Sequence, residues 1–128
     1  MRTIPLTATL HARTAYAAAA PVRTTRGAEY AAFETITARL SRAAEPAAAM
    51  TLRAAALHDN RRLWTTLATD LASPGNALPQ GLRAQLFYLA EFSLLQSRAA
   101  LRDPAALSAL IDINRTVMRG LYGEATPE

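Results

Sequence analysis

Residues 60–79 read NRRLWTTLATDLASPGNALP and predict a helix that runs into a turn. With an advance of about 100° per residue, one helical face carries Leu63, Trp64, Leu67 and Leu71. Asn60 falls near the centre of that face. An amide among large apolar side chains carries a desolvation cost unless its polar atoms are hydrogen-bonded. Asn60 is therefore either a buried, hydrogen-bonded residue that helps to specify the fold or part of a recognition surface.

Proline and turn residues divide the rest of the chain into helical segments. Pro46 and Pro104 each suit the first turn of a helix, and Asp103 is a favourable N-cap. The predicted helices cover about residues 7–20, 25–44, 46–72, 79–102 and 104–119. An alanine-rich composition favours helix over strand. The sequence thus predicts an all-α fold, a compact bundle of about five helices in one domain over residues 1–128.

The two ends of the chain are expected to be the least ordered parts. The first predicted helix has only Leu10 and Tyr16 as large apolar residues, and Pro21 marks a break after it. We therefore expect residues 1–22 to form an arm or helix that is mobile or is ordered by a partner. Residues 124–128 are expected to form a frayed tail.

The composition offers little for catalysis. The chain has no Cys, and its two histidines, His11 and His58, are isolated from each other, so a disulfide, a thiolate metal site or a zinc site is not expected. Phosphate-loop and hydrolase motifs are missing from the sequence. No apolar run is long enough for a membrane span, and no signal-peptide pattern is present. We expect a cytoplasmic protein that is no enzyme, binds no cofactor or metal, and does not insert into membranes.

All fourteen basic residues are Arg, and the net charge is +4. Arginine makes planar contacts with phosphate and carboxylate groups, which would suit an acidic or nucleic-acid partner. A genome rich in Arg and Ala codons is the simpler explanation, because no run of like charges is present. Nucleic acid is therefore the less favoured partner. Arg61 and Arg62 are the pair closest to the apolar face of the 46–72 helix.

The helix over residues 79–102 is apolar on several sides, with Phe87 on one face and Tyr88, Phe92 and Leu95 on another. Such a helix usually occupies the middle of a bundle. Alternatively, one face lies open as a groove for a partner helix. The 104–119 helix repeats the earlier pattern, because Asn114 lies in the centre of its apolar face. Asn60 and Asn114 are expected to bond to each other or to buried backbone, or else to contact a partner.

Several of these motifs, taken in order, closely resemble the FlaF family of flagellar biosynthesis regulators from α-proteobacteria. The resemblance is specific over about residues 55–121 and looser from Ala15 onward. The motifs that carry it are Asn60-Arg61-Arg62-Leu63-Trp64, the turn Pro74-Gly75-Asn76-Ala77-Leu78-Pro79, Leu82-Arg83 and Ile111-Asp112-Ile113-Asn114. It implies a small cytoplasmic, non-enzymatic protein that promotes flagellin synthesis and secretion, as a chaperone or a positive regulator. It also implies that the protein acts opposite FlbT, a regulator that restrains flagellin translation.

Together these features suggest a helical module that binds flagellin. The expected partner-binding residues are Asn60, Arg61, Arg62, Trp64, Phe87, Tyr88 and Asn114. For Trp64 a place in the apolar core is the favoured alternative. The alternative function is a post-transcriptional regulator whose arginines contact the flagellin mRNA or FlbT.

Overall fold

The computed structural model describes residues 19–122, with side chains from residue 27 to residue 120. This part of the chain contains no strand, and its helices are α1 (Ala19–Ala43), α2 (Met50–Leu71), α3 (Gln80–Ala100) and α4 (Pro104–Val117). A π-helical turn, Met118–Tyr122, follows α4 directly. The predicted all-α fold is confirmed. The described residues contain four α-helices, whereas about five were expected over the whole chain.

The helices form a ring in which α1 and α3 each pack against both α2 and α4. Contacts between α1 and α2 join Phe33 to Trp64 and Arg39 to Asp59, so these neighbours run antiparallel. Short connections reverse the chain again before α3 and before α4. This is the up-down-up-down four-helix bundle. Helices α2 and α4 therefore face each other across its centre.

The beginning of α1 differs from the prediction. We expected Pro21 to separate two helices, but α1 begins at Ala19 and continues through this proline. The fixed φ of proline is compatible with helical backbone, so Pro21 does not prevent the residues after it from continuing the helix. The helix predicted over 7–20 lies almost wholly outside the described residues, as do most of the 1–22 arm and the 124–128 tail.

The beginning of α2 also differs, because Pro46 does not open the helix. The Ala48 N–H group donates to the Glu45 carbonyl at 2.9 Å. Pro46 therefore occupies the second position of a β-turn, which its fixed φ suits well. The helix begins only at Met50, four residues later than expected.

The turn between α2 and α3 is where the sequence predicted it. The Asn76 N–H group donates to the Ser73 carbonyl at 3.1 Å across Pro74 and Gly75. The Asn76 amide donates to both the carbonyl and the carboxylate of Asp70, each at 3.2 Å. Its oxygen accepts from the N–H group of Leu78 at 3.0 Å. Asn76 thereby ties the end of α2 to the residues that lead into α3.

Two side chains hold the opposite end of the bundle. The Asp103 carboxylate accepts from the Ala105 N–H group at 2.9 Å, which confirms the predicted N-cap of α4. The Arg53 guanidinium donates to the carbonyls of Ala43 at 3.0 Å and Leu101 at 3.4 Å. Both carbonyls belong to helix C-termini, where a cation is favoured. Arg53 thus connects the ends of α1 and α3.

The apolar core is divided into two clusters along the bundle axis. The first, near the α1–α2 and α3–α4 connections, includes Leu40, Leu57, Leu107, Leu110 and Ile111. The second, near the α2–α3 turn, includes Phe33, Trp64, Leu67, Leu71, Leu86, Ala90 and Val117. The residues that contribute from α2, Leu57 and Leu67 among them, follow the predicted helical periodicity.

Loss of the Asp103 cap is expected to destabilise the bundle by about 1 kcal/mol, since the first turn of α4 would lose a hydrogen-bond acceptor. The change is Asp103→Ala, and urea unfolding followed by far-UV circular dichroism measures the difference. Asp112→Ala is the control, because Asp112 is an exposed carboxylate in the middle of α4. Equal stability losses in the two variants would contradict this role of Asp103.

Candidate functional site

A layer of buried polar side chains crosses the bundle between the two apolar clusters. Each of the four helices contributes to this polar layer, whose members are Thr37, Asn60, Ser93, Ser97 and Asn114. Along α1, for example, Thr37 lies between Phe33 of one cluster and Leu40 of the other. A buried polar group lowers stability unless it is hydrogen-bonded. The bonds within the layer therefore decide whether it supports the fold.

Asn114 is the centre of the polar layer, and its side chain makes three hydrogen bonds. Its oxygen accepts from the Trp64 indole N–H group at 2.9 Å. Its amide donates to the Asn60 oxygen at 2.8 Å and to the Thr37 hydroxyl at 3.1 Å. These bonds connect α4 to α2 across the centre of the bundle and to α1 at its side. Of the alternatives that the sequence left open for the two asparagines, the structure shows the hydrogen bond between them.

Trp64 contributes both a polar and an apolar contact. Its indole N–H group bonds to Asn114, while its ring meets that of Phe33 edge-to-face, with centroids 5.6 Å apart and planes at 88°. This geometry suits the charge distribution of aromatic rings. Thr37 continues the network by donating to the Met118 sulfur at 3.9 Å, at the first residue of the π-helical turn. The network thus extends from α2 to the end of α4.

Not every buried polar atom of the layer makes a hydrogen bond. Among the described residues, the Asn60 amide nitrogen and the Ser93 hydroxyl make no hydrogen bond, although both are buried. Ser97 donates to the Ser93 carbonyl at 2.8 Å within α3. Asn114 uses every polar atom of its side chain, whereas Asn60 makes one bond. The contribution of Asn114 to stability should therefore exceed that of Asn60.

The seven residues predicted to bind a partner are not gathered into one patch. Asn60, Trp64 and Asn114 have no solvent-exposed surface and meet in the polar layer. Arg61 and Arg62 are exposed on α2. Phe87 and Tyr88 are exposed on α3, at 38% and 65% of their surface. Only the last four are accessible in this conformation, and partner binding stays a prediction for all seven.

An apolar strip runs along the outward side of α3. This outer strip consists of Ala84, Tyr88, Phe92, Leu95 and Ala99, which recur at spacings of three and four residues. The Tyr88 and Phe92 rings stack with centroids 6.5 Å apart and planes at 17°. Leu95 is 60% exposed. The strip lies opposite the buried side of α3, which carries Leu86, Ala90 and Ser93.

The outward sides of the other helices are more polar. On α2 the exposed positions include His58, Arg62, Thr65 and Thr69, with exposed apolar residues, Met50 and Leu52, only near its beginning. On α4 they include Ser108, Asp112 and Arg115. The helical periodicity of the sequence places Tyr88, Phe92 and Leu95 on a common face, but Leu95 is not among the seven residues predicted to bind a partner. One signal could have identified Leu95. The core-facing sides of all four helices already pack against one another, so no apolar helix face remains to cover the face of α3 that carries Leu95.

The described residues carry no other recognisable site. No group of three His, Cys, Asp or Glu side chains in this part of the chain could hold a metal ion. None of the helices over the described residues has the length and apolarity needed to cross a bilayer. Beside the outer strip lies a shallow hollow lined by Ala84, Gln85, Tyr88 and Leu89.

Replacement of Asn114 is expected to destabilise the protein more than replacement of Asn60. Asn114→Ala leaves the Trp64 indole, the Thr37 hydroxyl and the Asn60 amide without their shared partner, at a cost of about 4 kcal/mol. Asn60→Ala removes a single bond and should cost less. Urea unfolding followed by Trp64 fluorescence measures both, with the exposed Ser108→Ala on α4 as control. A larger loss for Asn60→Ala would contradict the central position of Asn114.

The comparisons with known proteins agree with the resemblance found in the sequence. The family model described as flagellar protein FlaF matches residues 12–121. That segment includes all four helices, the polar layer and the outer strip. No curated protein and no solved structure shows a significant match. Because the family model covers most of the 128 residues, the chain belongs to the FlaF family of flagellar proteins.

Proposed function

We propose that this protein promotes flagellin synthesis or secretion by binding flagellin, as a non-enzymatic, chaperone-like helical module that acts in the cytoplasm. Membership of a flagellar family supports the biological setting. The exposed outer strip of α3 is the observation that supports binding through apolar contacts. Large apolar side chains that remain exposed together commonly mark an interaction surface.

The outer strip has the chemistry of a surface that receives an amphipathic helix. Its large side chains, Tyr88, Phe92 and Leu95, follow one another along about two helical turns, and a groove-bound helix uses anchors with this spacing. Tyr88 is an aromatic residue with a polar tip, a type enriched among the residues that dominate binding energy. Phe87 is also exposed, on a neighbouring face of α3 about 100° from Tyr88.

Salt dependence distinguishes this binding mode from an electrostatic one. Apolar contacts change little with ionic strength, while charge contacts between exposed groups are screened. Calorimetric titration of purified flagellin with this protein, at low and at high salt, measures the dependence. We expect binding that persists at high salt. If no binding occurs at either salt concentration, the flagellin-binding proposal is wrong.

Substitution within the outer strip is expected to weaken flagellin binding by about tenfold or more, as the loss of a well-packed apolar contact costs about 1.4 kcal/mol or more. The change is Leu95→Ser, measured in the same titration. Leu52→Ser is a matched control, because Leu52 is an exposed leucine on α2, away from the strip. Both variants should keep the helical content of the unchanged protein, measured by far-UV circular dichroism. Equal affinities for Leu95→Ser and Leu52→Ser would contradict a site on α3.

The arginines support a second candidate, contact with the flagellin mRNA or with FlbT. Arg61 and Arg62 are exposed and make no hydrogen bond or ion pair with the described residues, whereas Arg39 is paired with Asp59 at 2.9 Å. An RNA contact through them would weaken steeply with salt. The double variant Arg61→Gln, Arg62→Gln should then lose RNA binding and keep flagellin binding. RNA binding that resists salt would contradict this candidate.

A further inference from the structure

We propose that the free protein forms a symmetric dimer in which α3 packs antiparallel against α3 of a second copy, through the outer strip. The pairing goes beyond the proposed function and does not depend on it. Its basis is the order of large, small, acidic and basic residues along the outward side of α3. When a second copy of the helix runs in the opposite direction, large side chains lie opposite small ones and acidic residues lie opposite basic ones.

The apolar residues of the strip are complementary in size. When two copies of a helix pack antiparallel, the numbers of any two residues that lie at the same level add up to the same value. For a two-fold axis near position 94, Tyr88 lies level with Ala99 of the second copy, and Phe92 with Leu95. A large ring thus meets a small side chain, and an aromatic ring meets an aliphatic one. Interdigitation of this kind lets two helices approach to about 8–10 Å.

The charges beside the strip are complementary in the same register. Glu91 and Arg98 are exposed and seven residues apart, so they occupy the same flank of α3. A two-fold axis perpendicular to antiparallel helices brings identical flanks together. Glu91 of each copy then lies opposite Arg98 of the other, close to the level at which the apolar residues pair. Two equivalent ion pairs would border the contact, as charged flanking residues do in coiled coils.

A parallel pairing lacks these matches. The axis would then run along the helices and set the charged flank against the opposite flank, where Gln85 and Gln96 lie. Glu91 and Arg98 would remain without charged partners, and Tyr88 would meet Tyr88 of the second copy. The observations therefore favour the antiparallel arrangement. They also favour a second copy over an unrelated apolar segment, which would have no reason to reproduce this order of charges.

If the proposed function is correct, dimerisation also affects flagellin binding. The dimer covers the outer strip, so a second copy and flagellin would be alternative occupants of one surface. Self-association would protect exposed apolar side chains until flagellin is made. The test of the dimer uses the protein alone, so its outcome is separate from the flagellin titration.

Sedimentation equilibrium of the full chain, over a range of concentrations, tests the pairing. We expect a mass that approaches twice the 13.8 kDa of one chain as concentration rises. Leu95→Glu should weaken dimerisation by about a hundredfold, because it places two charges in the apolar contact. Leu52→Glu, a matched change on α2, should leave the dimer intact. A monomer at all concentrations, or equal effects of the two changes, would overturn the proposal.

Charge exchange tests the register independently of the apolar contact. Glu91→Arg alone sets like charges opposite each other and should weaken the dimer by about tenfold, a typical scale for two surface charge pairs that become repulsive. The double variant Glu91→Arg, Arg98→Glu restores opposite charges and should restore the dimer. Failure of this rescue, with both variants folded, would overturn the antiparallel register.

Disulfide trapping then tests the orientation, and the chain has no native Cys to interfere. In this register the two Leu95→Cys residues are offset by only about 4.5 Å along the helix direction, so oxidation should link two copies. The two Tyr88→Cys residues are offset by about 16 Å along the same direction and should not link. Efficient linkage through Tyr88→Cys would overturn the antiparallel arrangement, as would failure of a dimer-forming Leu95→Cys variant to link.

Discussion

The hydrogen bonds of Asn114 are the constraint on which the rest of the structure depends. One side chain bonds to Trp64 and Asn60 on α2 and to Thr37 on α1, all within the buried polar layer. Apolar packing alone would allow helices to slide or rotate with little change in buried area. A shift of α4 by one residue would leave several of these polar atoms without partners in a dry interior, at a cost of about 1–3 kcal/mol for each group. The network therefore fixes the level and rotation of three helices at once.

This constraint also explains how α3 acquires its exposed apolar side. Beside the polar layer, α3 contributes small residues, Ala90, Ser93 and Ser97, while Leu86 fills the apolar cluster next to it. The side chains of Tyr88 and Leu95 are directed away from the core. The separation is useful for recognition, because the surface that we propose for binding lies on the opposite side of α3 from the residues that specify the fold. A partner could then bind without disturbing the network.

Helical periodicity predicted the presence of the four described helices and placed Asn60 and Asn114 on their apolar faces. It left open whether the two asparagines bond to each other. It was not sufficient for Thr37, since a threonine on an apolar face is too common to mark a polar contact. Two prolines show a further limit. Pro104 follows Asp103, whose side chain caps the helix, whereas Pro46 follows Glu45 and takes part in a turn. Nor could periodicity assign Trp64 to the core, because burial depends on which faces the other helices occupy.

Trp64 supplies the most direct test of this separation between the core and the binding surface. It is the only tryptophan, so its indole N–H group gives a single proton–nitrogen resonance in the NMR spectrum. We would follow this resonance and the backbone amides of α3 while flagellin is added. The account predicts shifts at Tyr88, Phe92 and Leu95 with the indole resonance unchanged, since its bond to Asn114 persists. A shifted or broadened indole resonance, with α3 unaffected, would show that the bundle opens to bind and would contradict the account.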